Sequence, residues 1–243
     1  MKGKGLNSNQ IKLIAILAMT VDHLTWLFFP GCQKIWWVML LHVVGRLTAP
    51  IMWFFIAEGF HYTRNVKKYA ARLFAFALVS HFAYCFAGGI PFVPNGFFNM
   101  TSVMWSLAWS VVLMAIFTSK RLPQWAKLVL TLLICAVTFP SDWSTVAAMC
   151  PVYLYLNRGD FKKQALTLFI WTAIYSAVYF FFIDKVYGLI QMFTLLSLPI
   201  LRSYNGQRGG WKGMKWLFYI YYPAHLFVIG AIRVALGGGS IFP

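Results

Sequence analysis

Long apolar runs separated by short polar segments follow one another along the whole chain. Several runs approach the roughly 20 residues that an α-helix needs to cross a bilayer. The pattern predicts nine membrane-spanning helices, with eight or ten as alternatives because two runs are short and one is long. The predicted spans are 10–29, 36–62, 68–88, 100–118, 125–139, 143–157, 163–183, 186–201 and 214–235. We therefore predict an all-α, polytopic membrane helix bundle that forms a single domain over residues 1–243.

The composition agrees with this prediction and leaves no room for a separate soluble domain. Of the 243 residues, 60% are hydrophobic and 11% are charged, whereas about 25% of the residues in a soluble domain are charged. The first apolar run is long, lacks a clear small-x-small cleavage site and is closely followed by further runs. We therefore expect it to remain as the first span rather than to be removed as a signal peptide.

The positive charges fall mainly on one side of the predicted bundle. The net charge is +16, and an N-terminus in the cytosol places 17 of the 21 Lys and Arg residues at cytosolic ends of spans. Those residues are Lys2, Lys4, Lys12, Arg64, Lys67, Lys68, Arg72, Lys120, Arg121, Lys127, Arg158, Lys162, Lys163, Arg202, Arg208, Lys212 and Lys215. Such asymmetry is typical of membrane orientation and of contact with anionic lipid. It predicts a cytosolic N-terminus and does not require nucleic acid as a partner.

Ionisable residues inside the predicted spans are the main candidates for function, because they are costly in hydrocarbon and usually mark a site. Lys12 and His23 lie eleven residues apart in the first helix, so they share one face at a separation of roughly 16 Å along the axis. Asp22 points about 100° away from His23. We expect Asp22 to pair with Arg46, the cation that falls inside the second span.

The second span carries a predicted distortion and a predicted polar stripe. Pro50 is expected to bend or loosen the helix near Arg46. Glu58, His61 and Arg64 follow at intervals of three residues, which predicts that they share one helix face near the cytosolic end.

Two further segments supply candidates with competing structural interpretations. Tyr222 and His225 lie in the last span, with His225 close to the middle of the membrane. Asn205 and Gly206 form a turn signal before Arg208, which is either a plain cytosolic cation or a contact for a nucleotide phosphate. Asp142, in the short turn SDW, is either the N-cap of a short helix or a supporting residue of the site.

Structural roles remain the alternative for the histidines. A buried His23 has the alternative of bonding a neighbouring carbonyl, and we interpret His42 and His81 as structural. The four cysteines show no CxxC spacing, so the sequence predicts no metal site.

A set of ordered fragments resembles a known family. The fragments KLIAILAMTVDH, GRLTAPI, EGFHYTRNVKKY, SDW, YNGQRG and FYIYYPAHL, which run from residue 12 into the last predicted span, resemble the TraX family. The spacing of Lys12, ten residues and His23 also resembles a signature of the acyltransferase-three superfamily of membrane enzymes. That superfamily often has Arg at the first position, so Lys12 keeps the charge but loses a two-pronged contact.

The resemblance implies a bacterial inner-membrane acetyltransferase. Acetyl-CoA is the implied co-substrate on the cytosolic side, and the acceptor is an amine or hydroxyl of pilin or of another envelope molecule. His23 matches the catalytic histidine and Lys12 its basic partner. Independently, a neutral imidazole in an apolar site suits general-base attack on a thioester, and a covalent acetyl-histidine is the alternative.

Together, these considerations predict three groups of site residues and leave two other functions open. The catalytic group is His23, Asp22, Arg46 and Glu58. The acetyl-CoA-binding group is Lys12, Arg64, Asn205 and Arg208. The supporting group is His61, Asp142, Tyr222 and His225. The alternatives are a proton-coupled transporter, although no repeated half or matched broken helices are evident, and a non-catalytic partner in pilus or envelope assembly.

Overall fold

The computed structural model describes residues 5–97 and 99–241, and 73% of these residues are helical. The described residues form no strand but eleven α-helices and one 3₁₀ helix. The helices are α1 (Ser8–Phe28), α2 (Trp36–Gly45), α3 (Thr48–Tyr62), α4 (Val66–Gly88), α5 (Val103–Thr118), α6 (Gln124–Thr138), α7 (Val146–Leu156), α8 (Phe161–Phe182), α9 (Lys185–Gln191), the 3₁₀ helix Met192–Leu196, α10 (Ser197–Arg202) and α11 (Met214–Ala235). The predicted all-α architecture is confirmed.

The helices also have the length and apolarity of membrane spans. Within the described residues, five helical segments are long and apolar enough to cross a membrane, and α5, α6 and α7 are shorter apolar helices. The five segments are Ser8–Phe28, Trp36–Tyr62, Val66–Gly88, Phe161–Phe182 and Trp216–Ala235. The chain is therefore a membrane helix bundle, and the number of nine spans stays a prediction.

The second span is interrupted where the sequence predicted it. Helix α2 ends at Gly45 and α3 begins at Thr48, so Arg46 and Leu47 lie in the break. Pro50 has no N–H to donate, and its ring crowds the carbonyl of the residue four positions earlier, which is Arg46. Gly45 matters at the same place, because a β-carbon there would collide with the Asp22 side chain. The break and the glycine together let α1 approach the second span closely.

Six helices pack consecutively into a ring. Around the ring the order is α1, α11, α4, α5, α7 and α3, and α3 contacts α1 to close it. Helix α6 packs on α5, and α8 packs on α7 and α9. Leu128, Leu132 and Leu133 of α6 are exposed, as expected for side chains that face lipid. Lys12 and His23 both lie on α1, which is one helix of this ring.

The two ends of the bundle differ in their loops. We call the end with the start of α1 and the segments 63–65, 119–123, 157–160 and 203–213 the basic face, because the predicted cytosolic cations cluster there. The start of α1 is tied to this end by hydrogen bonds from Leu6 N–H to the Ser203 carbonyl (2.8 Å) and from Asn205 N–H to the Leu6 carbonyl (3.0 Å). The other end, with the segments 29–35, 89–102, 139–145 and 183–184, is the opposite face.

Candidate functional site

A large cavity lies inside the helix ring at the basic face. This basic cavity has a volume of about 510 Å³ and is bounded by α1, α3, α4, α5 and α11. Three cationic side chains line it, namely Lys12, Arg72 and Arg208. It is therefore large enough for part of a small-molecule ligand, and its charge favours an anionic one.

Aromatic rings hold two of these cations in place. The Lys12 ammonium lies 5.0 Å from the ring centroid of Phe55 and 5.9 Å from that of Phe218. The Arg72 guanidinium lies 5.5 Å and 5.3 Å from the ring centroids of Tyr69 and Tyr219. Ring contacts of this kind attract a cation without neutralising its charge, so both charges stay available to a ligand.

Glu58 lines the basic cavity and not the surroundings of His23. Its Oε1 accepts a hydrogen bond from Arg158 Nε at 2.7 Å, and Arg158 Nη2 donates to the Tyr62 hydroxyl at 3.0 Å. The carboxylate is therefore neutralised by a loop arginine at the basic face.

The predicted polar stripe does not extend as far as the sequence suggested. Helix α3 ends at Tyr62, so Arg64 lies beyond it and is exposed, and His61 is exposed beside the Tyr62 ring. Asn205 is not a cavity residue; its side chain accepts from Gln207 N–H and donates to the Gly5 carbonyl. Asn205 therefore shapes the turn that brings Arg208 to the cavity.

The predicted pair of Asp22 and Arg46 is present and belongs to a larger cluster. Arg46 Nη2 donates to both carboxylate oxygens of Asp22, at 2.8 and 2.7 Å. His42 Nδ1 lies 2.8 Å from Asp22 Oδ1, and Arg46 Nη1 donates to Gln191 Oε1 at 2.9 Å. Arg46 and His42 are buried, and Asp22 is nearly so. The cluster joins α1, α2, the break after α2, and α9.

His23 bonds to a second histidine and not to Asp22. His23 Nδ1 lies 2.7 Å from His225 Nε2, and His225 Nδ1 lies 2.8 Å from the Tyr221 carbonyl oxygen. Because a carbonyl only accepts, His225 carries its proton on Nδ1, and neutral His225 then accepts at Nε2. His23 therefore donates from Nδ1, which leaves the lone pair of the neutral imidazole on Nε2.

Two small chambers of about 50 Å³ each surround His23. We call the first the inner chamber; Met19, Met52, Val103 and Tyr222 are among its lining residues. Met52 also lines the basic cavity, so its side chain stands between that cavity and His23. We call the second the distal chamber; it is lined by Trp26, Tyr84, Asn99, Tyr175 and Tyr179. Asp22, His23, Arg46, Asp142 and Trp143 line both chambers.

The turn between α6 and α7 brings Asp142 into both chambers. Asp142 N–H donates to the Thr101 carbonyl at 2.8 Å, and the next residues, Trp143 and Ser144, have φ values of 60° and 48°. Such left-handed backbone is strained in residues other than glycine and often occurs at functional sites. The interpretation of Asp142 as a helix cap was wrong, because α7 begins at Val146 with no side-chain cap. Burial raises the pKa of Asp142 to about 7.

Sequence reasoning missed several polar members of the site, among them His42 and Arg72. His42 was interpreted as structural, yet it lies four residues before Arg46, a spacing that places both side chains on one helix face. Arg72 was counted only as a loop cation, although it falls in the second turn of α4. Among residues 5–97 and 99–241, no group of three His, Cys, Asp or Glu side chains is arranged to hold a metal ion.

Comparison with known proteins covers nearly the whole chain. A family model described as TraX protein matches residues 7–233. A protein of Dichelobacter nodosus named probable fimbrial assembly protein FimC, serogroup H1, is 27% identical over 241 residues, which cover 93% of this chain and 96% of that protein. No solved structure matches the chain significantly. The matched range includes the basic cavity and both chambers.

Proposed function

This chain belongs to the TraX family, and we propose that it transfers an acetyl group from acetyl-CoA, bound at the basic face, to an acceptor at His23. The observation that carries the proposal is the position of Lys12 and His23 on one helix. Lys12 lines the basic cavity, and His23 lines the inner chamber. Of the residues that the structure describes, only Met52 lines both spaces. A ligand anchored by its anionic end at Lys12 thus points its other end towards a buried imidazole.

The basic cavity suits the phosphate-bearing end of acetyl-CoA. Lys12, Arg72 and Arg208 supply three positive charges in a partly enclosed space, where interactions between charges are stronger than in bulk water. Arg72 and Arg208 offer planar guanidinium groups that bond phosphate oxygens in pairs. Lys12 lies deeper, against Phe55 and Phe218, and fits a single phosphate or the amide-bearing arm.

His23 supports the chemical step as a general base. Its Nδ1 proton is held by His225, so the Nε2 lone pair accepts the proton of the acceptor as that acceptor attacks the thioester carbon. A positioned base of this kind contributes roughly 10²–10⁴-fold to a rate. The imidazolium that forms then returns the proton to the sulfur of the departing CoA.

The cluster of Asp22, Arg46 and His42 positions this base without touching its ring. Asp22 is adjacent to His23 in α1, and its bonds to Arg46 and His42 fix α1 against α2 and the break. Placement of a catalytic group within a fraction of an ångström is worth large factors in rate. We therefore assign Asp22 and Arg46 a positioning role.

The relative's name is consistent with a role in pilus biogenesis. FimC is described as a fimbrial assembly protein, and we propose that the acceptor of this chain belongs to a pilin or another envelope molecule. The charge asymmetry supports an inner-membrane location with the basic face in the cytosol, where acetyl-CoA is available.

Purified protein in detergent with radiolabelled acetyl-CoA tests the proposal. We expect slow release of acetate, loss of that turnover in His23→Ala with CoA binding retained, and about tenfold weaker CoA binding in Lys12→Ala. Lys34→Ala is the matched control, because Lys34 is an exposed lysine at the opposite face. Full turnover by His23→Ala would contradict the mechanism.

The buried cluster also keeps the transporter as a second candidate. Asp22, His42 and Arg46 form a hydrogen-bonded charged group inside a membrane bundle, an arrangement that proton-coupled transporters use. The same experiment separates the two functions, because a transporter without acyltransferase activity binds no CoA thioester.

A further inference from the structure

The distal chamber has a composition unlike that of the basic cavity. Aromatic rings from three helices and one turn form its walls, including a stack of Trp143 on Tyr175 with ring centroids 4.4 Å apart. Asn99 and Asp142, which line the same space, belong to loops of the opposite face. His23 borders this chamber too. His23 therefore borders two spaces: the inner chamber, which shares Met52 with the basic cavity, and the distal chamber, which is lined in part by loops of the opposite face.

One of the two carboxylates that line the distal chamber has no ion-pair partner among the described residues. Asp22 is neutralised by Arg46 at 2.7 Å. Asp142 forms no ion pair with any side chain in the part of the chain that the structure describes. A cation in such a chamber is attracted both by the charge of the carboxylate and by the negative faces of the surrounding aromatic rings. The same two features repel the phosphates of CoA.

We propose that the distal chamber is the acceptor site and that Asp142 binds a primary ammonium group, which enters from the face opposite the CoA-binding cavity. The inference rests on the proposed acetyl transfer and assigns the residue and the chamber that bind its acceptor. A hydroxyl acceptor carries no charge and gains little from an unpaired carboxylate, whereas an ammonium supplies the counter-charge that Asp142 lacks.

The transfer balances with the groups present. The ammonium loses one proton to the Asp142 carboxylate and becomes a neutral amine. The amine nitrogen forms a bond to the thioester carbon, and His23 Nε2 takes a second proton from that nitrogen. The carbon–sulfur bond breaks, and the CoA sulfur takes the proton from His23. The products are an N-acetyl amide, free CoA thiol and one proton, which Asp142 releases.

Steady-state kinetics in detergent test the role of Asp142. The acceptor probe is a lysine-free tetrapeptide with a free α-amino group, and its α-hydroxy analogue is the matched probe without charge. We expect acetylation of the amine peptide only. In Asp142→Asn, we expect KM for the peptide to rise at least tenfold, with KM for acetyl-CoA unchanged within twofold. Asp160→Asn is the control, because Asp160 is a half-exposed N-cap at the basic face and asparagine caps equally well.

A measurement on the unmodified protein covers the case in which Asp142→Asn does not fold. Ethylammonium should inhibit competitively against the peptide and not against acetyl-CoA, and ethanol at the same concentration should not inhibit. Competition of ethylammonium with acetyl-CoA would overturn the assignment of the distal chamber. Normal acetate release without acetylation of the amine peptide would also overturn it, while leaving the proposed acetyl-CoA chemistry intact. Absence of any acetate release would instead defeat the proposed function.

Proteoliposomes of determined orientation test the side of entry. Acetyl-CoA is supplied at the basic face, and the peptide is placed either with it or on the other side of the bilayer. We expect acetylated peptide when the two substrates are on opposite sides. Equal or faster acetylation with both substrates at the basic face would contradict entry from the opposite face.

Discussion

The basic cavity and the chambers around His23 use charge in opposite ways. In the basic cavity, Lys12, Arg72 and Arg208 have the same sign, and the ion pairs of the described residues give them no carboxylate partner. In the chambers, Asp22 and Arg46 satisfy each other through short hydrogen bonds. The first region leaves its charges available to a ligand, whereas the Asp22–Arg46 pair of the second region holds protein groups in place.

This difference predicts unequal costs for removing a carboxylate from each region. Asp22→Asn leaves the Arg46 guanidinium buried without its counter-charge, and we expect a loss of about 3–5 kcal/mol in the free energy of unfolding. Glu58→Gln leaves Arg158, whose side chain is 32% exposed, in reach of water, and we expect a loss of about 1 kcal/mol or less. Thermal unfolding of both variants in detergent measures the difference.

Equal losses in the two variants would contradict the comparison, because they would mean that both ion pairs are equally shielded from solvent. As a further control, Asp22→Asn together with Arg46→Met should be more stable than Asp22→Asn alone, since the double change removes the uncompensated charge.

Some parts of this site followed from the sequence because they depend on one helix. Helix periodicity alone predicts that Lys12 and His23 share a face. The pairing of Asp22 with Arg46 was predicted because Arg46 was the cation placed inside a span. The bond between His23 and His225 did not follow, since it joins residues 202 positions apart. Its geometry depends on how α1 packs against α11, and hydrophobic periodicity does not determine that packing.

The fold shows the same limit. The helices could be predicted from the lengths of the apolar runs, and the break at Arg46 from Pro50, because helix formation and helix breaking by proline are local effects. Asp142 lines the same chambers as His23 because of the turn at Trp143 and Ser144. The left-handed backbone of that turn has no local sequence signal such as glycine. The capping interpretation of Asp142 failed because α7 begins only at Val146, beyond this turn.

The second prediction concerns the hydrogen bond that orients His23. His225→Phe keeps an aromatic ring but removes the acceptor nitrogen. We expect kcat for acetyl transfer to fall about 10–100-fold, which is part of the rate contribution of a general base that has lost its orientation. His225→Gln keeps an acceptor oxygen near the position of Nε2 and should retain most of the rate. CoA binding, which we propose for the basic cavity, should be unchanged in both variants.

The test is the ratio of the kcat values of His225→Gln and His225→Phe. A kcat of His225→Gln as low as that of His225→Phe would show that the hydrogen bond does not matter and that another feature of the imidazole does. Weaker CoA binding in either variant would contradict the separation of the two regions.

The last prediction is a pH dependence of stability at the opposite face. Because burial raises the pKa of Asp142 to about 7, the fold favours its protonated form. The resulting stabilisation is complete below the unfolded pKa of about 3.9 and is lost as the pH rises to about 7. Asparagine resembles the protonated acid and does not titrate. The melting temperature of Asp142→Asn, relative to that of the unmodified protein, should therefore rise between pH 5 and pH 8.

Asp184 provides the matched comparison, because it lies at the same face. Burial alone would raise the pKa of Asp184, but hydrogen bonds from the Tyr187 N–H and the Lys34 ammonium outweigh burial and lower it. Its stabilisation is therefore already complete at pH 5 and is lost only at lower pH. Asp184→Asn should consequently differ from the unmodified protein by a constant amount between pH 5 and pH 8. If the two variants instead follow the same pH trend, the Asp142 carboxylate is as well compensated as that of Asp184, and the distal chamber has no excess negative charge to offer a cation.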